Sequence, residues 1–279
     1  MIENRDENEP SPQELTWSGM THRGKVRPNN EDAFLALTFD MHDVRYLGKV
    51  GQSSYQAGDY VFAVSDGMGG AKSGEFASRI AVDKITHLMP RSYKMVLAGF
   101  SAGFEDVLTE LFTRIHHELM RLAHSYDECA GMGATLSLSW FTPGWMFFGH
   151  VGDSRIYHLP REGGMRQLTH DDTHVGWLRR TGQINEREQR MHPRRNALQK
   201  ALGAGHQIVD PQLGAVQCRR GDRFLLCTDG VVDGLWDRAL QDTIREPGMD
   251  QRPDAWRVVE TAVAESGRDN ATAMVISMN

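Results

Sequence analysis

The sequence predicts an α+β fold in which an antiparallel sheet core is covered by helices. Three observations support this: short apolar runs typical of strands, a turn signal between two of them, and helical spacing in three longer segments. Strands and helices alternate only partly along the chain, whereas a parallel α/β sheet requires a regular alternation. An antiparallel core is therefore the better interpretation.

The strands are predicted from runs that are rich in Val, Phe, Leu and Trp. These runs cover residues 60–64, 134–141, 145–151, 155–159, 223–227 and 271–277. Thr142-Pro143-Gly144 lies between the second and third runs and is a turn signal. We expect those two strands to form a hairpin.

The helices are predicted from apolar residues that recur at helical spacing, at residues 75–89, 104–122 and 254–264. In the second segment, Val107, Leu111 and Ile115 fall on one face. A single apolar face is typical of a helix that packs against a core on one side only. We therefore expect the helices to cover the sheet.

The composition is that of a globular protein and excludes several classes. The 279-residue chain has 31 Lys and Arg against 37 Asp and Glu, and a net charge of −6 argues against binding to nucleic acid. Its three cysteines form no C-x-x-C pair, which favours a reducing compartment. No apolar run approaches the roughly 18 residues of a membrane helix. We expect a cytoplasmic protein with a disordered lead-in at residues 1–14 and one domain at 15–279.

Two predicted strands end on nearly identical acidic turns. One strand runs into Ser65-Asp66-Gly67 and another into Thr228-Asp229-Gly230, while Asp269 and Asn30-Glu31-Asp32 each precede further apolar runs. Carboxylates fixed at rigid strand ends, with few His or Cys residues nearby, suit hard cations such as Mg²⁺ or Mn²⁺. Each Asp-Gly pair is also a common hairpin turn. Spacing alone leaves both interpretations open.

Other site types are disfavoured by the sequence. The segment after the strand at residues 60–64 has the setting of a P-loop, but Ala71 stands where the second glycine is required. Neither a cysteine-nucleophile phosphatase loop nor a G-x-S-x-G elbow occurs. His170 and His174 could face each other across one helical turn, but no third zinc ligand is evident. Solvated loop histidines are the preferred interpretation.

Six short motifs occur in order along nearly the whole chain. They are Arg27-x-x-Asn30-Glu31-Asp32, Asp66-Gly67-Met68-Gly69-Gly70, Gly131-Met132-Gly133-Ala134-Thr135, Gly152-Asp153-Ser154-Arg155, Thr228-Asp229-Gly230 and Arg268-Asp269-Asn270. Each motif is weak by itself, but the ordered set is specific. Together they resemble the metal-dependent protein phosphatases of type 2C, in their bacterial branch.

The resemblance implies a four-layer α-β-β-α sandwich, with two mainly antiparallel sheets flanked by helices and a metal cleft at one end. It implies two Mn²⁺ or Mg²⁺ ions as cofactors, and whether a third ion binds is left open. Asp66 would bridge the two ions. Glu31 and the carbonyl of Gly67 would complete one metal site, and Asp229 and Asp269 would hold the other ion.

The resemblance also implies hydrolysis of phosphoserine and phosphothreonine in proteins, by direct attack of a hydroxide that bridges the ions. Arg27 would clamp the substrate phosphate, so that Arg27, Asp66 and Asp229 form the catalytic set. Asp32 and Asn270 would orient the metal ligands. The expected partners are phosphorylated proteins, modified by a serine/threonine kinase in signalling, with no nucleic acid or membrane, and the expected oligomeric state is a monomer.

Two other functions stay open at this point. The first is a catalytically silent phosphatase-like domain that binds phosphoproteins, for which loss of a metal-binding acid would be the signature. The second is a metal-dependent phosphodiesterase that acts on small phosphate esters, for which a more enclosed pocket would be the signature.

The sequence departs from the family pattern in three places. Met68 stands where relatives of the eukaryotic type carry a His that is a candidate general acid. Many relatives bind a third metal through an Asp where this chain has Ala130, with Asp127 and Glu128 slightly upstream. The stretch between residues 39 and 59 is an insertion, expected to be a hairpin or a loop of unassigned role.

The segment at residues 170–202 resembles the mobile flap beside the active site of the bacterial branch, and we call it the flap. It carries six arginines: Arg179, Arg180, Arg187, Arg190, Arg194 and Arg195. These could form a basic lid for phosphopeptides or simply a solvated surface, and the sequence does not decide between the two.

Overall fold

The computed structural model describes residues 13–40, 43–69, 73–97, 103–206, 208–246 and 252–279. The strands are β1 (Glu14–His22), β2 (Asp32–Phe39), β3 (Val44–Tyr46), β4 (Val50–Ser54), β5 (Asp59–Met68), β6 (Gly133–Ala134), β7 (Leu136–Thr142), β8 (Trp145–Val151), β9 (Arg155–Leu159), β10 (Arg166–Gln167), β11 (Leu202–Gly203), β12 (Gln212–Gln217), β13 (Arg223–Cys227) and β14 (Ala271–Met278). The helices are α1 (Ser73–Leu97), α2 (Phe104–Ser125), α3 (His174–Arg180), α4 (Glu186–Met191), α5 (Asp229–Gly234), α6 (Asp237–Arg245) and α7 (Asp254–Glu265).

The described strands form two antiparallel sheets. Sheet 1 has the order β10-β9-β13-β14-β1-β4. Sheet 2 has the order β11-β6-β5-β7-β8-β12, and β2 also pairs with β5 and carries β3 on its other edge. The predicted hairpin is present as β7 and β8, which pair antiparallel through the Thr142-Pro143-Gly144 turn.

Three buried apolar clusters show that the layers are stacked as α-β-β-α. One cluster joins α1 and α2 to the outer face of sheet 2, a second lies between the sheets, and a third joins sheet 1 to α5, α6 and α7. Strand β5 shows how the sequence builds this arrangement. Its Val61 and Ala63 face the helices, while Tyr60, Phe62 and Val64 face the other sheet. Because both faces are covered, the strand is apolar throughout rather than alternating. The predicted four-layer fold is confirmed.

The boundaries of several elements differ from the predictions. Strands β8, β9 and β13 have the predicted bounds, but the predicted strand at 134–141 is divided into β6 and β7. Strand β5 continues through Asp66 and Gly67 to Met68, and Asp229 opens helix α5, so neither Asp-Gly pair forms a hairpin turn. The turn interpretation was wrong. At Asp66-Gly67, pairing with neighbouring strands overrides the local preference of the dipeptide, and Asp229-Gly230 is part of a helix.

The two strands of the insertion between residues 39 and 59 do not form a hairpin with each other. Its strand β3 pairs with β2 at the edge of sheet 2, whereas its strand β4 pairs with β1 at the edge of sheet 1. The insertion therefore bridges the two sheets along one side of the sandwich. Residues 41–42, in its first turn, lie outside the described residues.

The predicted lead-in at residues 1–14 lies largely outside the described residues, which begin at Gln13. Its last residue, Glu14, is already part of β1, where it pairs with Ser54 of β4. In the described ranges, no helix is both long and apolar enough to cross a bilayer. The cytoplasmic location stays a prediction.

Candidate active site

One cavity of about 330 Å³ collects the predicted site residues at one end of the sandwich. Its lining includes Arg27, Glu31, Asp66, Gly67, Asp229 and Asp269, together with Met68. These residues come from the loop between β1 and β2, from the end of β5, from the start of α5 and from the approach to β14. Residues distant in sequence thus meet because the strand ends that carry them lie at the same end of the two sheets.

Asp66 is held on both sides by backbone pairing within sheet 2. It lies opposite Asp32 in the β2–β5 register. On the other side, its N–H donates to the hydroxyl of Thr135 at 2.9 Å, and its carbonyl accepts from the Thr135 N–H at 2.8 Å. The Thr135 hydroxyl also contacts that of Ser154 at 2.7 Å. The position of the Asp66 backbone is therefore fixed by the sheet rather than by a loop.

Asp32 connects sheet 2 to the start of helix α5. Its Oδ2 accepts hydrogen bonds from the hydroxyls of Thr228 and Thr272, at 2.8 and 2.7 Å. Its Oδ1 is buried and has no hydrogen-bond partner among the described residues. Burial raises the pKa of Asp32 to about 7, although the two threonines act in the opposite direction. Since Thr228 directly precedes Asp229, this carboxylate holds the strand end from which Asp229 projects.

Glu31 and Gly67 approach each other at the start of helix α1. The Gly67 N–H donates to the Glu31 carbonyl at 3.2 Å. A Cβ atom at Gly74 would lie 2.9 Å from the Gly67 carbonyl oxygen and 3.0 Å from the Glu31 carboxyl carbon, and one at Gly67 would lie 1.9 Å from the Gly74 carbonyl oxygen. Both glycines are therefore required for this packing, which brings together two predicted ligands of one ion.

Asn270 holds the loop that carries Arg27 and Glu31. Its side-chain oxygen accepts from the Glu31 N–H at 2.8 Å, and its side-chain nitrogen donates to the carbonyls of Arg23 and Asn29 at 2.8 and 2.9 Å. The buried amide of Asn270, the residue directly after Asp269, thus contacts this loop at three points. These contacts agree with the predicted orienting role, which itself stays a prediction.

Arg27 lies at the rim of the cavity and is paired with Asp269. Its Nη2 contacts Asp269 Oδ2 at 2.6 Å, and its side chain is 49% exposed. The hydrogen bond to Asp269 raises the pKa of Arg27 above its usual value. The predicted phosphate clamp therefore contacts one of the predicted metal ligands, and it remains accessible from solvent.

The electrostatics of the cavity favour a cation. Burial raises the pKa of Asp66 and of Asp229 well above the usual value, and neighbouring carboxylates, including Asp32, Asp153 and Asp269, add to the shift. Burial likewise raises the pKa of Glu31. Concentrated negative charge on hard oxygen donors matches the preference of Mg²⁺ and Mn²⁺.

The side chains are not arranged as a finished metal cage. Among the described residues, no three His, Cys, Asp or Glu side chains lie close enough together to hold one ion. The donor set nevertheless fits divalent cations by its chemistry and its charge, since the cavity is lined by the carboxylates of Glu31, Asp66, Asp229 and Asp269. His170 and His174, the other metal pair considered, are both exposed, and His174 stacks on Trp177.

Asp153 is the main residue of the cavity that the sequence analysis left without a role. It follows Gly152, whose φ of +112° suits glycine, and burial raises the pKa of Asp153 to about 7. Asp153 and Asp229, with Asn196 of the flap, also line a smaller adjoining cavity of about 40 Å³. The Gly152-Asp153-Ser154-Arg155 motif was the available signal, but its place in the fold was not known.

Comparison with known proteins places these features in a family. A family model described as protein phosphatase 2C matches residues 49–262, which is more than half of the chain. The serine/threonine protein phosphatase PstP of Mycobacterium tuberculosis is 32% identical over 264 residues, covering 94% of this chain and 44% of that protein. The serine/threonine phosphatase Stp of Listeria innocua is 29% identical over 261 residues, covering 93% of this chain and 94% of that protein.

A solved structure also resembles the chain over nearly its whole length. It is the catalytic domain of PstP in complex with 2 manganese ions, with a TM-score of 0.69, 30% identity, and coverage of 95% of this chain and 98% of that one. The chain spans less than half the length of full PstP.

Proposed function

The chain belongs to the protein phosphatase 2C family, and on that premise we propose that it is a metal-dependent serine/threonine protein phosphatase that hydrolyses phosphoserine and phosphothreonine. The observation that carries the proposal is the single cavity that collects Glu31, Asp66, Asp229 and Asp269, with Arg27 at its rim. The names of the relatives from Mycobacterium and Listeria support the same activity. Its partners would be phosphorylated proteins, and it would reverse the modification made by a serine/threonine kinase.

The carboxylates are assigned to two divalent cations. Glu31, Asp66 and the Gly67 carbonyl would hold one ion, and Asp66, Asp229 and Asp269 would hold the other. The two manganese ions of the PstP structure support Mn²⁺ as the metal. When bound, such a pair supplies Lewis-acid activation of water and neutralises charge on the transferring phosphoryl group. For a third ion, Asp153 is a better ligand candidate than Asp127 or Glu128, which line neither of the two adjoining cavities.

The chain's own groups bind the phosphate and orient the ligands. Arg27 is accessible at the rim, and its planar guanidinium can donate two parallel hydrogen bonds to phosphoryl oxygens. Asp32 and Asn270 fix the backbone on either side of the cavity. Met68 lines the cavity but carries no proton to donate, and no histidine lines it among the described residues. We therefore assign the protonation of the leaving alkoxide to water rather than to residue 68.

Nothing favours the two other functions. A catalytically silent domain is expected to have lost a metal-binding acid, yet all four predicted acids line the cavity. A phosphodiesterase for small esters receives no support from the relatives, which are named as protein phosphatases.

The test of the proposal is phosphate release from a phosphothreonine peptide with Mn²⁺ and with EDTA. We expect turnover that requires Mn²⁺, because carboxylates alone repel both the phosphate and an attacking hydroxide. A diester, bis(p-nitrophenyl) phosphate, serves as the contrasting substrate. Absence of phosphate release from the peptide in the presence of bound Mn²⁺, or faster hydrolysis of the diester, would overturn the proposed function.

Arg27→Lys tests the phosphate clamp. Lysine keeps the charge but loses the two-pronged donor geometry, so we expect KM for the phosphopeptide to rise about tenfold, equivalent to about 1.4 kcal/mol. The matched control is Arg23→Lys, in the same loop, since Arg23 is exposed and its side chain donates to the Pro28 carbonyl at 3.2 Å. An unchanged KM in Arg27→Lys would remove Arg27 from phosphate binding.

A further inference from the structure

Two adjacent acids at the base of the flap hold two different parts of the molecule. Asp171 and Asp172 precede helix α3, in the loop that leads from β10 into the flap. Neither residue lines the 330 Å³ cavity, and neither belongs to the predicted metal or phosphate site. Their contacts nevertheless connect the flap with that cavity.

Asp171 binds the flap helix α4 to strand β9. Its buried carboxylate accepts two hydrogen bonds from Arg155 at 2.8 and 2.7 Å, one from Gln167 at 3.0 Å and one from Gln189 of α4 at 3.0 Å. Gln189 is itself buried, and its Oε1 accepts from Arg179 of α3 at 2.8 Å. Gln189 is thus a buried link between the flap helices and Asp171, beside the partly exposed contacts of Arg179 with Asp237 and of Arg190 with the Leu235 carbonyl. We call Asp171, Arg155, Gln189 and Arg179 the clasp.

Asp172 holds the turn that carries Asp153. Its Oδ2 accepts from the Gly152 N–H at 3.0 Å, and its own N–H donates to the Gly152 carbonyl at 2.7 Å. Its backbone carbonyl accepts from the N–H of Gln199, near the far end of the flap, at 2.7 Å. Asp172 therefore connects the turn that carries Asp153 to the last segment of the flap.

The far end of the flap forms one wall of the cavity. Asn196 and Leu198 line it, and Leu198 forms a backbone bridge with Thr173, the residue directly before helix α3. This bridge joins the two ends of the flap at the edge of the cavity, next to the smaller adjoining cavity that Arg179 and Gln189 line. The contact between Gln189 and Asp171 is the buried point at which α4 is fixed beside this edge.

We propose that Gln189, acting through the clasp, is a positioning residue that holds the flap in the arrangement needed to bind a phosphoprotein. The proposal rests on the proposed phosphatase function. A protein substrate must lie across the mouth of the cavity and contact the flap, whereas a small aryl phosphate needs only the cavity itself. The clasp therefore affects the binding of phosphoproteins and not the hydrolysis of small phosphate esters.

The test compares Gln189→Ala with Gln183→Ala. Gln183 is an exposed glutamine of the same flap, and its side chain donates to Thr181 at 2.9 Å. For Gln189→Ala we expect KM for the phosphothreonine peptide to rise about tenfold, which corresponds to about 1.4 kcal/mol, with kcat within twofold of wild type. Both constants for p-nitrophenyl phosphate are expected to stay within twofold, and Gln183→Ala is expected to match wild type throughout.

A second measurement does not depend on activity. Arg180, Arg187 and Arg194 are exposed in the flap and provide sites for trypsin. Release of the clasp is expected to increase the rate of cleavage after these residues about tenfold in Gln189→Ala, because cleavage follows the population of open flap. Cleavage in Gln183→Ala is expected to proceed at the wild-type rate.

The outcomes separate the two proposals. If wild type releases no phosphate from either substrate, the phosphatase function fails, while the cleavage rates still test the clasp. Equal loss on the peptide and the small ester, an unchanged KM for the peptide, or an unchanged rate of flap cleavage in Gln189→Ala would each overturn the positioning role.

Discussion

Asp229→Asn is expected to lower kcat/KM for the phosphopeptide about a thousandfold, equivalent to about 4 kcal/mol of transition-state stabilisation. The amide keeps the shape of the side chain but removes the negative charge that we assign to metal binding. Calorimetric titration with Mn²⁺ is expected to show the loss of one ion per chain. The matched control is Asp242→Asn on the exposed face of α6, where Asp242 lies 3.9 Å from Arg238.

The same variant is expected to be more stable than wild type in the absence of metal, although it is less active. Burial and neighbouring acids raise the pKa of Asp229, so its charged form is disfavoured in the folded protein. Replacing it with a neutral amide is expected to raise Tm in EDTA while activity is lost. Full activity of a folded Asp229→Asn protein would contradict the metal assignment, and a lower Tm in EDTA would contradict the electrostatic argument.

Arg155→Ala is expected to lower the free energy of unfolding by about 3–5 kcal/mol. Its side chain is 8% exposed and bonds Asp171 and the hydroxyl of Tyr157. Removal of the guanidinium leaves the buried Asp171 carboxylate without its charged partner. Urea unfolding followed by circular dichroism measures the change, and Arg238→Ala, at a side chain that is 94% exposed, is the control with an expected change near zero.

A double variant and the pH dependence test whether the unpaired charge of Asp171 causes the loss of stability. Arg155→Met with Asp171→Leu is expected to lose less stability than Arg155→Ala, since no unpaired charge remains.

Burial alone would raise the pKa of Asp171, but Arg155 holds it below its usual value. A carboxyl whose pKa is lower in the folded than in the unfolded protein stabilises the fold at pH values above the unfolded pKa. This stabilisation is lost as the pH falls through the folded pKa. The difference between wild type and Arg155→Ala should therefore shrink as the pH falls from the pKa of Asp171 in the variant, which burial raises, to its lowered pKa in wild type. A difference that is constant between pH 3 and 7 would contradict this explanation.

The elements that the sequence predicted well are those with strong local signals. The uninterrupted apolar runs of β8, β9 and β13 have the predicted bounds. Strand β1 was not predicted, because Ser18, Gly19 and Thr21 interrupt its apolar pattern, and its burial depends on pairing with β14 and β4. Pairing with distant strands is not encoded in a short window of sequence.

In the candidate site, too, local motifs were predictable and contacts between distant elements were not. The acids were found from motifs, and the structure places them around one cavity. The hydroxyls of Thr228 and Thr272 that hold Asp32, and the contacts of Arg155 with Asp171, could not be predicted because they join elements whose arrangement follows only from the complete fold. The role of Asp153 required knowledge of which end of the sandwich its turn occupies.

The position of β14 has a consequence for the order in which the protein folds. This strand, the last along the chain, lies inside sheet 1 between β13 and β1, the first strand. Thr21 and Thr272, which face each other across this pair, are 251 positions apart in sequence. Closing so long a loop costs entropy before any contact compensates for it, so pairing of β1 with β14 is a late step. Because the loop of Arg27 and Glu31 follows β1, and Asp269 precedes β14, the cavity assembles only when the two ends of the domain meet.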